Sequence, residues 1–116
     1  MRSKREYIDY LQDMLEASAK ALQFVRDVDL EAFSKNEEKV FAVIRALEII
    51  GEAAKNIPKS IRGRYHEIPW EDIVGMRNKV IHAYFGVDIE VIWKTVHEDL
   101  PLLQAALARI FEDLKK

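Results

Sequence analysis

Cysteine is absent from this sequence, which excludes disulfides and thiolate metal sites. Glycine and proline are scarce, with four and three occurrences in 116 residues, so the chain is neither collagen-like nor a low-complexity linker. No apolar run reaches the roughly 20 residues of a membrane-spanning helix, and the N-terminus leads into no signal-peptide core. We therefore predict no membrane span, and the lack of cysteine fits a location in the reducing cytoplasm.

An excess of positive charge is also missing, because 18 Lys and Arg residues face 20 Asp and Glu residues. The net charge of −2 does not indicate nucleic-acid binding, so any such contact needs a local basic patch. Hydrophobic residues make up 49% and charged residues 33% of the chain, which is typical of a globular protein. The length favours a single domain, residues 1–116.

Apolar residues recur at steps of three and four along most of the chain, whereas strand patterns, repeats and Gly-rich phosphate loops are missing. Short connections favour antiparallel neighbours, so we predict an all-α, antiparallel bundle of main helices plus short helical turns. Ser34 and Glu37 form a potential capping box, and Pro101 predicts a kink or restart. The four main helices should span about 4–26, 35–56, 69–86 and 89–114.

A basic stretch follows the second main helix, with no acidic residue from 55 to 66. It is either a solvated basic loop or a contact surface for the RNA phosphate backbone, to which Tyr65 adds an aromatic ring. Its four cationic residues are Lys55, Lys59, Arg62 and Arg64.

A polar row at helical spacing runs along the second main helix through Arg45, Glu48 and Glu52. One interpretation is a solvated row of salt bridges. The other places Glu52, beside the small residues Gly51 and Ala53, where another helix or chain approaches closely. There its carboxylate could pair with an arginine.

Arg77 falls on the apolar face of the third main helix, one turn from both Ile73 and Ile81. A guanidinium cannot lose its charge and is rarely buried without a partner, so this arginine belongs to an ion pair, an interface or a cleft. Tyr84 shares its face, whereas His82 lies roughly 140° round an ideal helix. Either the helix breaks near residue 86, or Arg77 and His82 meet the partner's copies across an interface.

The three histidines lack metal-ligand spacing, so we expect neither a metal site nor a cofactor. His82 has a side chain that can exchange a proton near neutrality, and the fork of Arg77 matches phosphate oxygens. Together they suit RNA cleavage without a metal, in which a base deprotonates the ribose 2′-OH and the arginine stabilises the charged transition state. By itself, such a pair five residues apart arises often by chance.

The segment Arg77-x4-His82-x-Tyr84 resembles the RX4HXY motif of HEPN-domain toxins of the HepT-like family, also known as DUF86. The likeness extends over most of residues 5–110 and has no departure inside the motif. Its other segments are 45–54, Pro69-Trp70, Gly75-Met76-Arg77-Asn78, Val87-Asp88, Trp93 and Asp99-Leu100-Pro101.

The resemblance implies a HEPN-like helical homodimer that acts as the toxin of a type II-like toxin–antitoxin pair. Arg77 and His82 would be the ribonuclease residues of a cleft between two protomers, with Asn78 as the polar residue after the arginine. Lys79 would join the basic stretch in contacting RNA. Tyr84 would be the tyrosine to which an MNT-type minimal nucleotidyltransferase, the antitoxin, attaches AMP.

Two other classes of function remain open. A binding module could hold a nucleotide or RNA in the same cleft without cleaving it, as partner of a nucleotidyltransferase. A structural dimer could use Arg77, Glu52 and Tyr84 as a buried polar network. RNA cleavage by the purified protein separates an enzyme from a binding module, and binding of labelled RNA or nucleotide separates a binding module from a structural dimer.

Overall fold

The computed structural model describes residues 6–76 and 89–115, and all regular structure within these ranges is helical. This confirms the predicted all-α, HEPN-like fold class. In the same part of the chain, none of the helices is long and apolar enough to cross a membrane. The elements are α1 (Tyr7–Phe24), α2 (Leu30–Lys35), α3 (Glu37–Lys55), α4 (Lys59–Arg64), α5 (Trp70–Val74), α6 (Ile89–Lys94), a π-helical turn (Thr95–Asp99) and α7 (Leu100–Leu114).

Helices α1 and α3 form the most extensive pair, and α7 packs against α1. Lys39 Nζ donates to the Phe24 carbonyl at 3.1 Å, which ties the end of α1 to the start of α3. This hydrogen bond places the end of α1 beside the start of α3, and the two helices pack along their length. They therefore run in opposite directions. The apolar faces of these helices meet in one core. Burial of such faces supplies most of the stability of a helical bundle. Fully buried core residues include Leu11, Met14, Phe33, Val43, Leu47, Ile50, Val96, Leu100, Leu107 and Ile110.

The start of α3 differs from the prediction. Asn36, not Ser34, caps this helix: its Oδ1 accepts a hydrogen bond from the Lys39 backbone N–H at 3.1 Å. Ser34 lies inside α2, where its hydroxyl donates to the Glu31 carbonyl at 2.9 Å. The reason is that α2 continues to residue 35. The extended backbone that a cap requires therefore first occurs at residue 36.

The predicted restart in the last helix is confirmed as a π-helical turn, Thr95–Asp99, between α6 and α7. Pro101 lies in the first turn of α7, where the missing N–H of proline does least harm. Trp93, in α6, is half-buried and packs against Phe33 with ring centroids 5.3 Å apart.

The third predicted helix begins as expected, since Pro69 is the N-cap of α5. However, α5 ends at Val74, where the Gly75 N–H donates to the Glu71 carbonyl at 2.9 Å. The predicted continuation to 86 lies outside the described residues beyond Met76.

Candidate functional site

The predicted motif residues lie outside the described residues: Arg77, Asn78, Lys79, His82 and Tyr84. The residues that flank this segment are part of the core. Met76 is buried, and Ile89 is partly buried against the same apolar cluster. Within residues 6–76 and 89–115, no group of three His, Asp or Glu side chains is placed to hold a metal ion.

Glu52 lines a cleft of about 340 Å³ between α1 and α3. The polar row predicted from helical spacing forms one wall, with Arg45 Nη1 3.9 Å from Glu48 Oε1. We name this space the α1–α3 cleft. Its lining residues are Tyr10, Asp13, Arg45, Glu48, Ile49, Glu52, Ala53 and Asn56.

Among the described lining residues of the α1–α3 cleft negative charge predominates, because Asp13, Glu48 and Glu52 are acidic and Arg45 is basic. Such a lining repels phosphate and attracts cations. The cleft is therefore suited to hold an arginine or lysine side chain rather than the RNA backbone. Asp13 was not predicted as part of this cleft. An acidic residue on the polar side of α1 is expected to be solvated when the packing of α3 against α1 is not known.

Helix packing within one chain explains the small residues beside Glu52. Gly51, Ala53 and Ala54 are all buried, and α3 packs closely against α1 and α5. Small side chains permit this close approach of helices. They therefore give no independent support to an interface between two chains, which was one motive for predicting it.

The basic stretch is largely helical rather than the loop that was predicted. Pro58 has an extended backbone (φ −61°, ψ 149°) and starts α4, a position that suits proline. Buried Ile61 anchors α4 to the core. Lys55, Lys59 and Arg64 are exposed to solvent, so these cations are available for contact with a phosphate backbone.

Arg62 closes the C-terminal end of α3. Its Nε donates to the Ile57 carbonyl at 3.0 Å, and its Nη2 donates to the carbonyls of Ala54 and Lys55 at 2.9 and 3.1 Å. The last carbonyls of a helix have no partner in the helix, so a fixed cation there satisfies them and also interacts favourably with the helix dipole. This structural role was not predicted, and a contact of Arg62 with RNA stays a prediction.

Tyr65 does not provide the exposed ring that was predicted for the basic surface. It is buried, with 6% of its surface exposed. Its hydroxyl donates to Asp113 Oδ2 at 2.8 Å, which joins the end of α4 to α7. The hydrogen bond to the Asp113 carboxylate, with burial as the next cause, raises the pKa of Tyr65 above its usual value. Tyr65 thus contributes to the core and positions the basic residues before it.

Replacing Arg62 with alanine should lower the free energy of unfolding by about 1–3 kcal/mol, because hydrogen bonds from a charged donor to three carbonyls are lost. Arg26→Ala is the matched control: Arg26 is exposed, so its loss should change stability by less than about 0.5 kcal/mol. Urea unfolding followed by circular dichroism measures both. Equal stabilities of the two variants would contradict the capping role.

The comparison with known proteins agrees with the motif. The family model described as "Ribonuclease HepT-like" matches residues 14–110. A Thermococcus cleftensis protein named "Probable ribonuclease HepT" is 50% identical over 113 residues, which cover 97% of this chain and 99% of that protein. No solved structure matches the chain significantly.

Two Methanocaldococcus jannaschii proteins, each named "Putative RNase", are also similar over nearly their whole length. One is 42% identical and covers 97% of this chain and 97% of its own length. The other is 43% identical and covers 88% of this chain and 94% of its own. The chain therefore belongs to the Ribonuclease HepT-like family, as the resemblance of its motif to that family predicted.

Proposed function

We propose that this protein is a metal-independent endoribonuclease with Arg77 and His82 as its catalytic residues. The observation that carries the proposal is the RX4HXY spacing of Arg77, His82 and Tyr84 in a chain of the Ribonuclease HepT-like family. The ribonuclease names of its relatives support the same reaction class.

The proposed reaction needs only the groups of this motif and the RNA. His82 takes the proton of a ribose 2′-OH, and the 2′ oxygen attacks the adjacent phosphorus. The bond from phosphorus to the 5′ oxygen breaks, and the leaving oxygen takes up a proton from solvent, to which His82 returns the proton that it accepted. Arg77 stabilises the charge on the phosphate in the transition state, with Asn78 as a neighbouring polar group. The products are a 2′,3′-cyclic phosphate and a 5′-hydroxyl.

A homodimer would bring these side chains together. Since His82 lies roughly 140° from Arg77 on an ideal helix, an unbroken helix of one protomer would present the two groups in different directions. We propose a composite site between two protomers of single-domain chains, residues 1–116. Glu52 supports it by pairing with the guanidinium of Arg77, which fits the negative lining of the α1–α3 cleft.

The exposed cations at the end of α3 and on α4 are the proposed RNA-binding surface. Lys55, Lys59 and Arg64 give affinity for the phosphate backbone without reading sequence. Arg62 and Lys79 complete the set. Single-stranded or looped RNA is the expected substrate, because the reacting 2′-OH must align with the bond that breaks.

Control of the enzyme is proposed to follow the pattern of toxin–antitoxin pairs. A cytoplasmic MNT-type nucleotidyltransferase, the antitoxin, transfers AMP from ATP to the Tyr84 hydroxyl. Each AMP adds negative charge and a bulky base, so RNA phosphate is excluded by repulsion and by occlusion.

An RNA cleavage assay with the purified protein tests the proposed function. Single-stranded RNA should be cut at internal positions, with the same rate when a chelator such as EDTA is present. RNA that is bound but stays intact would assign the protein to the non-catalytic binding class. Cleavage that stops with the chelator would contradict the metal-independent mechanism.

The homodimer is expected to persist at micromolar concentration, because a composite site requires the two-fold assembly for function. Sedimentation equilibrium of the untagged protein should therefore give twice the 13.5 kDa mass of the chain. A single species at the monomer mass would remove the composite site from the account.

A further inference from the structure

A groove between α5 and the first turns of α7 combines an apolar base with one highly exposed leucine. Its volume is about 200 Å³, and Ile73, Met76 and Leu103 lie at its base with little exposure. Leu102 stands beside them with 73% of its surface exposed, more than any other exposed large hydrophobic side chain in the described residues. We name this space the Leu102 groove. An exposed apolar side chain beside an apolar groove can serve as an anchor for a bound segment.

The rim of the Leu102 groove is acidic. Glu67, Asp72 and Asp99 line it, and none of its described lining residues is a lysine or arginine. Arg109 forms a salt bridge with Glu67, so the other two carboxylates dominate the local charge. An apolar base inside an acidic rim complements a ligand that is apolar in the middle and cationic around it.

We propose that the Leu102 groove binds a partner protein through an amphipathic segment rich in lysine or arginine. Apolar side chains of that segment would lie against Leu102 and enter the groove, as in the recognition of a helix by a hydrophobic groove. Its cations would pair with the rim carboxylates and orient the segment. This proposal does not depend on the ribonuclease activity, because it uses neither Arg77 nor His82.

Two other occupants fit the groove less well. RNA phosphate is repelled by the acidic rim and gains nothing from the apolar base. Within the described residues, a second copy of this chain offers Ile8, Phe41 and Val91 as its other exposed large hydrophobic residues, and each has an acidic residue within one turn of its own helix.

The basic stretch of a second copy also lacks an apolar anchor. Ile57, Ile61 and Tyr65, the large apolar side chains that accompany its cations, are buried in the core of their own chain. The exposed anchors of a second copy lie among charges of both signs, because Phe41 and Val91 each have a cation as well as a carboxylate within one helical turn. The acidic rim therefore favours a different protein, whose segment presents cations without neighbouring carboxylates.

Fluorescence anisotropy with synthetic peptides tests the proposal on the 116-residue chain. The probe is a labelled 14-residue helical peptide with leucine on one face and lysine on the other. Two control peptides keep its length, one with glutamate in place of lysine and one with glutamine in place of leucine. At about 0.15 M salt, where long-range attraction is screened, only the first peptide should bind.

Leu102→Asp should weaken binding of this peptide roughly tenfold or more, as expected when an interface anchor is lost. The substitution adds a negative charge, so attraction by charge alone would instead strengthen binding. Ala105→Asp is the matched control: it adds the same charge at an exposed position of α7 outside the lining and should leave affinity within about twofold. Asp72→Asn combined with Asp99→Asn should weaken binding and reduce its dependence on salt.

Four outcomes would overturn the proposal. The first is equal binding of the leucine and glutamine peptides. The second is an unchanged peptide affinity in Leu102→Asp. The third is loss of self-association in Leu102→Asp but not in Ala105→Asp, which would assign the groove to a second copy of this chain. The fourth is displacement of the peptide by a short RNA, together with weaker binding of that RNA to Leu102→Asp. This result would assign the groove to RNA.

Discussion

Replacing His82 with alanine should reduce RNA cleavage by about 10²- to 10⁴-fold, the range for loss of a group that transfers the proton in the transition state. Arg77→Ala should have a comparable effect, since the charge on the phosphate loses its preorganised donor. Arg77→Lys should recover only part of the rate, because lysine keeps the charge but lacks the planar fork. Single-turnover cleavage of one RNA at saturating protein measures all three.

The control for this prediction is another histidine of the same chain. His97 is exposed, and its Nδ1 lies 2.9 Å from the Trp93 carbonyl of the preceding turn, so its contacts are local. His97→Ala should cleave RNA at the same rate as the protein without substitutions. Helical circular dichroism and the dimer mass must be intact in every variant. Full activity in His82→Ala would refute the mechanism, and unfolding of the Arg77 and His82 variants would favour a structural role instead.

Modification of Tyr84 with AMP should abolish cleavage and weaken RNA binding. The new phosphate carries negative charge to the place proposed for the RNA phosphate, and it is itself an acceptor for the guanidinium of Arg77. Intact mass spectrometry after incubation with the proposed MNT-type nucleotidyltransferase and ATP should show one or more AMP additions, the first on Tyr84. Cleavage should fall in proportion to the modified fraction.

Variants of two tyrosines separate a specific acceptor from general labelling. Tyr84→Phe should keep its fold and activity but escape the first modification. Tyr65→Phe should be modified normally, because the Tyr65 hydroxyl is occupied by Asp113 in the core. Modified protein that binds and cleaves RNA as well as unmodified protein would show that Tyr84 does not control the enzyme.

The long helices were predictable from the sequence because their signals are local. Apolar steps of three and four identified α1, α3 and the last helical region, from α6 to α7, close to their observed bounds, and Pro101 marked the interruption that proved to be a π-helical turn. The short α4 was missed because a single turn of helix has no full apolar stripe. The cap of α3 was placed two residues early because serine and asparagine both favour that position.

The contacts that depend on the tertiary fold were not predictable from local patterns. Tyr65 and Asp113 are 48 positions apart, and nothing near either residue indicates the hydrogen bond between them. Arg62 looked like one more cation of a basic surface, because its carbonyl partners come within reach only when the chain turns back after α3. A guanidinium shortly after a helix end is the one sequence signal that could have suggested this role.

The candidate site was predicted by chemistry and by family likeness rather than by periodicity. Spacing placed Glu52 in a polar row, which the structure shows as a wall of the α1–α3 cleft. Spacing alone could not show that α1 supplies Asp13 to the same cleft, because that requires knowing which helices pack together. The roles of Arg77, His82 and Tyr84 stay predictions.

Cleavage of an RNA that carries one 2′-deoxynucleotide tests the central claim most directly. An oligonucleotide with a mapped cut site should be cleaved in the presence of EDTA to fragments ending in a 2′,3′-cyclic phosphate and a 5′-hydroxyl, identified by mass spectrometry. The same strand with a 2′-deoxynucleotide on the 5′ side of that bond should stay intact there, because the attacking hydroxyl is missing. Cleavage of the deoxy-substituted bond, or fragments with a 5′-phosphate, would contradict attack by the 2′-OH.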